Sequence, residues 1–140
     1  MTVHKFPVRV YYENTDAGSV VYHAEYLGFA ERARTEMFRD HGFEHADMLK
    51  RTGIAFAVRH LDIDFQKPAV LDDLLTIESS ITRIGGASMD YKQIVKREND
   101  VLAELKVVLV CMDIASFSAR RIPDEIRHGF KDLLDTRGEN

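Results

Sequence analysis

The sequence predicts an α+β domain: one long helix near the N-terminus, a mainly antiparallel sheet after it, and a short helix at the end. Two observations carry that prediction. Only one long segment, from Ala24 to about His41, repeats its apolar residues at helical spacing, whereas most of the chain that follows alternates with the period of two that marks strands. The last strand-like runs are separated by Gly85-Gly86 and by Glu98-Asn99-Asp100, separators short enough for hairpins, which makes those strands antiparallel neighbours.

Taken in order, Val3 to Tyr12 sets Phe6, Val8, Val10 and Tyr12 against Lys5, Arg9 and Tyr11, a half-buried first strand. In the helix that follows, Tyr26, Ala30, Ala33 and Met37 recur at four, three and four residues with Phe29 alongside, and Gly42 supplies a stop. Glu31, Arg32, Arg34, Glu36 and Arg39 are expected on its wetter face. Ile54 to Phe65 reads Ile54, Phe56, Val58 and then Leu61, Ile63, Phe65, a phase shift of one that a bulge near Arg59-His60 would produce in a long bent strand. Gln66-Lys67-Pro68 turns the chain into strands Leu74 to Ile84, Ala87 to Arg97 and Val101 to Asp113. The last of these is apolar on both faces, so it is a central strand covered on each side, by the long helix and by a second subunit. Ile122-Pro123-Asp124-Glu125 opens a C-terminal helix with Pro at the first position and acids in the first turn; Ile126, Phe130, Leu133 and Leu134 form its inner face, and Arg137 to Asn140 fray.

The chain has 140 residues, nearly half of them apolar, which suits a single domain over residues 1–140. A net charge of −4 with no large Lys/Arg cluster leaves no cationic field for nucleic acid. No apolar run approaches the ~20 residues of a membrane span, and the first residues lack the apolar centre of a secretory signal. One cysteine excludes an intrachain disulfide framework, and a reducing cytoplasm is the expected location. Cys111 sits in an apolar strand pattern and is read as packing. His4, His41, His45, His60 and His128 fall in no metal-ligand spacing, so no metal is expected.

The most informative stretch is Tyr11-Tyr12-Glu13-Asn14-Thr15-Asp16-Ala17-Gly18-Ser19-Val20-Val21-Tyr22-His23. It puts one carboxylate, Asp16, in a turn between a strand and the start of the long helix, where backbone N–H groups lack intrahelical partners. Tyr22 and His23 stand where a capping Ser, Thr, Asp or Asn would be expected, which leaves the first amides free to bind a developing oxyanion. The alternative from these residues alone is that water or a carbonyl satisfies the amides and Asp16 only stabilises the loop.

The same stretch, continued as Ala24-Glu25-Tyr26-Leu27-Gly28-Phe29-Ala30-Glu31-Arg32-Ala33-Arg34-Thr35-Glu36, resembles the opening of the hotdog-fold thioesterases related to 4-hydroxybenzoyl-CoA thioesterase, and within them the YbgC-type acyl-CoA thioesterases associated with the bacterial Tol-Pal system. The resemblance rests on Asp16, His23 seven residues later, Tyr26 three beyond that, and Glu31-Arg32-Ala33-Arg34, and its outline extends to Arg121-Ile122-Pro123. Three positions depart from it: Asn14 where an acid is common, and Ser19 and Glu25 where Gly and Asn are expected.

The resemblance implies a hotdog fold, a five-stranded antiparallel sheet curled around the long helix, and hydrolysis of an acyl-CoA thioester to a carboxylic acid and free coenzyme A. It implies no cofactor, coenzyme A being part of the substrate. Asp16 would be general base on water or nucleophile, and the amide of His23 or its neighbour would hold the carbonyl oxygen. The His23 imidazole would orient the water, assist the leaving thiolate or bond within the loop; Tyr12, Val21 and Tyr22 would lie at the substrate, and Gly18 would serve a tight turn. Coenzyme A ends in phosphates, for which the candidate cations are Arg83, Lys96, Arg97, Arg120 and Arg121. Family members form homodimers, or dimers of dimers as a homotetramer, with sites between subunits, so Asp16 would face the partner's long helix or its strand from Ile54. A Tol-Pal association, and with it a peripheral place at the inner membrane, comes from the resemblance alone. Competing readings are a hotdog dehydratase, which would want its acid on the helix, an acyl-carrier-protein thioesterase, and an envelope-associated scaffold with incidental hydrolysis.

Overall fold

The computed structural model describes residues 3–135. Its strands are β1 (His4–Arg9), β2 (Ile54–Phe65), β3 (Leu74–Ile84), β4 (Ser88–Arg97), β5 (Asp100–Asp113) and β6 (Ser118–Ala119); its helices are α1 (Glu25–Asp40), α2 (His45–Thr52) and α3 (Asp124–Gly129). The sheet runs β1-β3-β4-β5-β2, every pair antiparallel, with β6 added beside the end of β5. Register shifts between Val58 and His60 where β2 meets β5, which is the expected bulge, and it returns Leu61 and Ile63 to the core side. The inner residues of β3, β4 and β5 and the buried stripe of α1 (Tyr26, Phe29, Ala30, Ala33, Met37 and Phe38) form one continuous core. This is the sheet-around-helix layout of the hotdog expectation.

Local chemistry explains where the helices stop. After α1, Gly42 takes φ +88°, its N–H bonds to the Arg39 carbonyl, and the Phe43 N–H reaches back to Phe38, the paired bonds of a Schellman end. Phe38 and Phe43 both pack edge-on against Phe130, which brings the C-terminal segment over the end of α1. The sequence reading assigns nothing between Gly42 and Ile54, yet α2 forms there. Met48 is its one buried residue, so it shows no apolar period; Asp47 paired to Arg51 one turn on and left-handed Gly53 at its end are the signals that mark it.

Three expectations need correction. The first strand ends at Arg9, because the chain beyond Val10 turns into a 3-10 segment, Tyr12–Asn14; Tyr12 therefore leaves the alternating pattern and is 82% exposed. Pro123 precedes the last helix as its N-cap instead of occupying the first helical position, and a second 3-10 turn, Lys131–Leu133, carries Leu133 into the core. The frayed end assigned to Arg137–Asn140 lies outside the described residues.

The third correction concerns Arg34, which is buried and not on the wet face of α1. Its Nη1 donates to Gln93 Oε1 at 3.0 Å, and the Gln93 amide donates in turn to the Ala30 carbonyl and to Ser79 Oγ, each at 3.0 Å. Helical spacing placed Arg34 one position from the apolar stripe. Gln93, fully buried on the inner face of β4, is what turns it inward. Burial away from water lowers the Arg34 guanidinium from its ordinary value, with Tyr91 and Glu31 acting in the opposite direction. Replacing Gln93 with Leu should leave this guanidinium without an acceptor and cost about 3 kcal/mol in urea unfolding, whereas Arg34→Met combined with Gln93→Leu should cost clearly less than the sum of the single changes.

Candidate active site

Asp16 sits in a hairpin that connects β1 to α1. Its N–H donates to the Val20 carbonyl at 2.9 Å, its carbonyl accepts from the Ser19 N–H at 3.0 Å, and Thr15 bridges Val21 across the stem. This is a three-residue loop whose last residue is left-handed. That residue is Ser19, at φ +68°. The tight-turn role expected of Gly18 therefore belongs to its neighbour. What Gly18 provides is room: a β-carbon there would lie 3.1 Å from Asp16 Oδ1, which accepts the Gly18 N–H at 2.8 Å. The carboxylate is exposed and joins no ion pair among the described residues, which leaves its second oxygen free for chemistry.

The hairpin returns directly to the helix start. Ala24 is the N-cap of α1 and makes no side-chain capping bond, as the lack of a capping residue predicts. Glu25 N–H bonds to the Tyr22 carbonyl and Leu27 N–H to Ala24, but the amides of His23 and Ala24 meet no acceptor among the described residues. Two free donors thus stand at the positive end of a sixteen-residue helix, a short stretch of chain from Asp16.

A single buried residue sets this turn against the rest of the fold. Ala69 donates its N–H to the Tyr26 hydroxyl at 3.1 Å and accepts the Val21 N–H at 2.9 Å, while Val20 bridges Val70. Val21, His23 and Tyr26 consequently line a cavity of about 240 Å³ together with Phe65, Gln66, Lys67 and Pro68. Tyr22 is stacked at a tilt on His23, ring centroids 4.3 Å apart, and is half exposed, as is Phe65. Of the expected substrate residues, Val21 and Tyr22 immediately precede His23, Gly18 donates its N–H to Asp16, and Tyr12 is exposed and does not line the cavity. Sequence reasoning missed Ala69 and Phe65, whose contribution depends on the return of a distant loop; the Pro68 turn was the one local sign.

The five candidate cations differ in what they hold. Lys96 pairs with Glu78 at 3.1 Å, Arg97 with Asp73 at 2.8 Å, and Arg120 donates to the Thr52 carbonyl at 2.6 Å. The side chains of Arg83 and Arg121 have neither an ion pair nor a hydrogen bond among the described residues. Both free arginines adjoin the Gly85-Gly86 hairpin, at the other end of β3 from the Ala69 loop, about 33 Å of strand away. Among the described residues no cluster of His, Cys, Asp or Glu could hold a metal, and no helix is long and apolar enough to cross a membrane. Cys111 is buried in the core, and burial pushes its thiol up.

The sequence pattern of the Thioesterase superfamily matches residues 18–104. The chain is 46% identical to the acyl-CoA thioester hydrolase YbgC of Escherichia coli O6:H1 over 93% of its own length and 97% of that protein, and 42% identical to the acyl-CoA thioesterase YbgC of Haemophilus influenzae over 91% and 94%. A crystal structure named as a probable thioesterase from Bartonella henselae superposes with a TM-score of 0.82 at 38% identity, covering 87% of this chain and all of that one.

Ser19 in the left-handed region strains the hairpin. Ser19→Gly should raise stability by about 1 kcal/mol, read as a higher urea midpoint with an unchanged slope.

Proposed function

Because this chain belongs to the thioesterase superfamily, we propose that the Asp16 hairpin and the start of α1 together cleave the thioester of an acyl-CoA. The enzyme is a thioester hydrolase of the hotdog fold, an acyl-CoA thioesterase. The observation that supports the assignment of residues is that one hairpin carries an exposed carboxylate without an ion pair and runs directly into two amides that have no acceptor among the described residues.

In this reading the thioester carbonyl oxygen accepts from the His23 and Ala24 amides, whose fixed direction favours the charge that develops as the carbon becomes tetrahedral. Asp16 acts by one of two routes. As general base it takes a proton from water, the water oxygen bonds to the carbonyl carbon, and collapse breaks the C–S bond to release coenzyme A thiolate, which is then protonated. As nucleophile its free oxygen bonds to the same carbon, the thiolate leaves, and water cleaves the resulting anhydride. The imidazole of His23, lining the cavity beside the carbonyl position, is suited to orient the water. No cofactor takes part in either route.

A homodimer completes the site. β2 is a twelve-residue edge strand, paired to β5 on one side only, and an open edge of that length favours pairing with a second copy. The two arginines free of partners lie a strand's length from the Asp16 hairpin of their own chain, so they reach coenzyme A phosphates only if the partner supplies them. The half-exposed Phe65 of the cavity lining and Tyr22 stacked on His23 are apolar surface such a partner would cover.

Asp16→Asn should leave a folded oligomer by size-exclusion chromatography and circular dichroism while hydrolysis, followed through released thiol over a panel of short, long, branched and aromatic acyl-CoAs, falls by a factor of at least about 10². Parent-level turnover by Asp16→Asn would overturn the reading. Gly18→Ala should also lower kcat, by about tenfold, because the new methyl group displaces the carboxylate from its 3.1 Å neighbour position.

A further inference from the structure

Asn14 touches both arms of the site. It is buried, and its side-chain oxygen accepts the Tyr11 N–H at 2.8 Å, which closes the 3-10 segment leading to Asp16. Its carbonyl accepts the Tyr22 N–H at 2.9 Å, just before the two free amides, and its side-chain amide donates to Glu25 Oε1 at 3.1 Å, just after them. One residue therefore holds the chain on either side of His23 and Ala24, two residues ahead of the carboxylate.

Resting on the roles assigned above to Asp16 and the two amides, we propose that Asn14 and Glu25 are positioning residues, a clamp that sets the Asp16 carboxylate against the oxyanion donors at the start of α1. A carboxylate accepts what an amide donates, so the contact survives when the two groups trade places, and a change at one position alone leaves two donors or two acceptors facing each other. Asn14 shares a surface groove with Arg9, Glu13 and Arg32, but none of these forms an ion pair or hydrogen bond with Asn14 or Glu25.

The clamp is tested by exchanging its polarity in the full chain. Asn14→Asp keeps the acceptor for Tyr11 but sets two carboxylates 3.1 Å apart, and kcat for the acyl-CoA of the panel turned over fastest should fall at least tenfold with KM changed by less than about threefold. Asn14→Asp with Glu25→Gln restores a donor opposite an acceptor and should recover kcat to within about threefold of the parent. A role confined to closing the loop predicts no such recovery, since Glu25→Gln adds nothing to the Tyr11 bond. If Asn14→Asp does not fold, Glu25→Leu removes the same acceptor from the helix side and should lower kcat to the same extent; parent-level kcat in that variant overturns the clamp. So does parent-level kcat in Asn14→Asp, or a double variant as slow as the single one. Asp16→Asn assayed in parallel separates the two failures: if it too is fully active, the assignment of Asp16 falls, and if it is inactive while the double variant is not rescued, the clamp alone falls.

Discussion

One buried side chain, Gln93, decides where the helix lies on the sheet. Apolar contact between α1 and the concave face is non-directional and would tolerate a slide of the helix along its groove. Gln93 removes that freedom, because its amide can satisfy the Ala30 carbonyl, Ser79 Oγ and the Arg34 guanidinium together in only one register. A slip by one residue would strand a buried cation and a buried amide, an outcome far more costly than any gain from altered packing.

The placement of the Asp16 turn follows from that register. Tyr26 is one turn ahead of Ala30 on the same face, and its hydroxyl meets the Ala69 N–H only because the helix is fixed. Ala69 then holds Val21, and Val21 forms the stem that presents Asp16. The loop that brings Ala69 back is itself tied down, with Asp73 accepting both the Val70 N–H and Arg97, and the amides of Gln66 and Lys67 bonding to Leu102. Arg97, a candidate for coenzyme A on sequence grounds, is thereby engaged in supporting the loop beside the cavity. A hinge at the site is therefore unexpected; the rigid parts converge on the two free amides.

An exposed carboxylate is a weak base in bulk water, and two amides open to solvent stabilise an oxyanion little more than water would. The arrangement gains catalytic strength when solvent is excluded from it. Within the single chain Asp16 is exposed, whereas the His23 side of the hairpin opens into a small apolar cavity. A second copy over the half-exposed Tyr22 and Phe65 is the arrangement that would supply the missing wall, which is why the proposed activity and the proposed dimer depend on each other.

Much of this protein is determined locally and can be read from residue order. Alternation and spacing define each of the long strands and α1, the out-of-step residues around Arg59 mark the bulge in β2, and the absence of a capping residue before Glu25 foretells bare amides at the helix start. The motif around Asp16 carries the family. Pattern alone did not assign α2, whose single buried Met48 leaves no period to detect, nor did it show that Arg34 turns inward, that Tyr12 turns out, or that Ser19 and not Gly18 takes the left-handed conformation. These outcomes, like the pairing of Asn14 with Glu25 and of Ala69 with Tyr26, depend on contacts between residues 11 to 59 positions apart in the chain or on which of two adjacent residues absorbs a turn. Local sequence sets what each segment can become; only closure of the sheet around the helix selects which polar groups must find one another away from water.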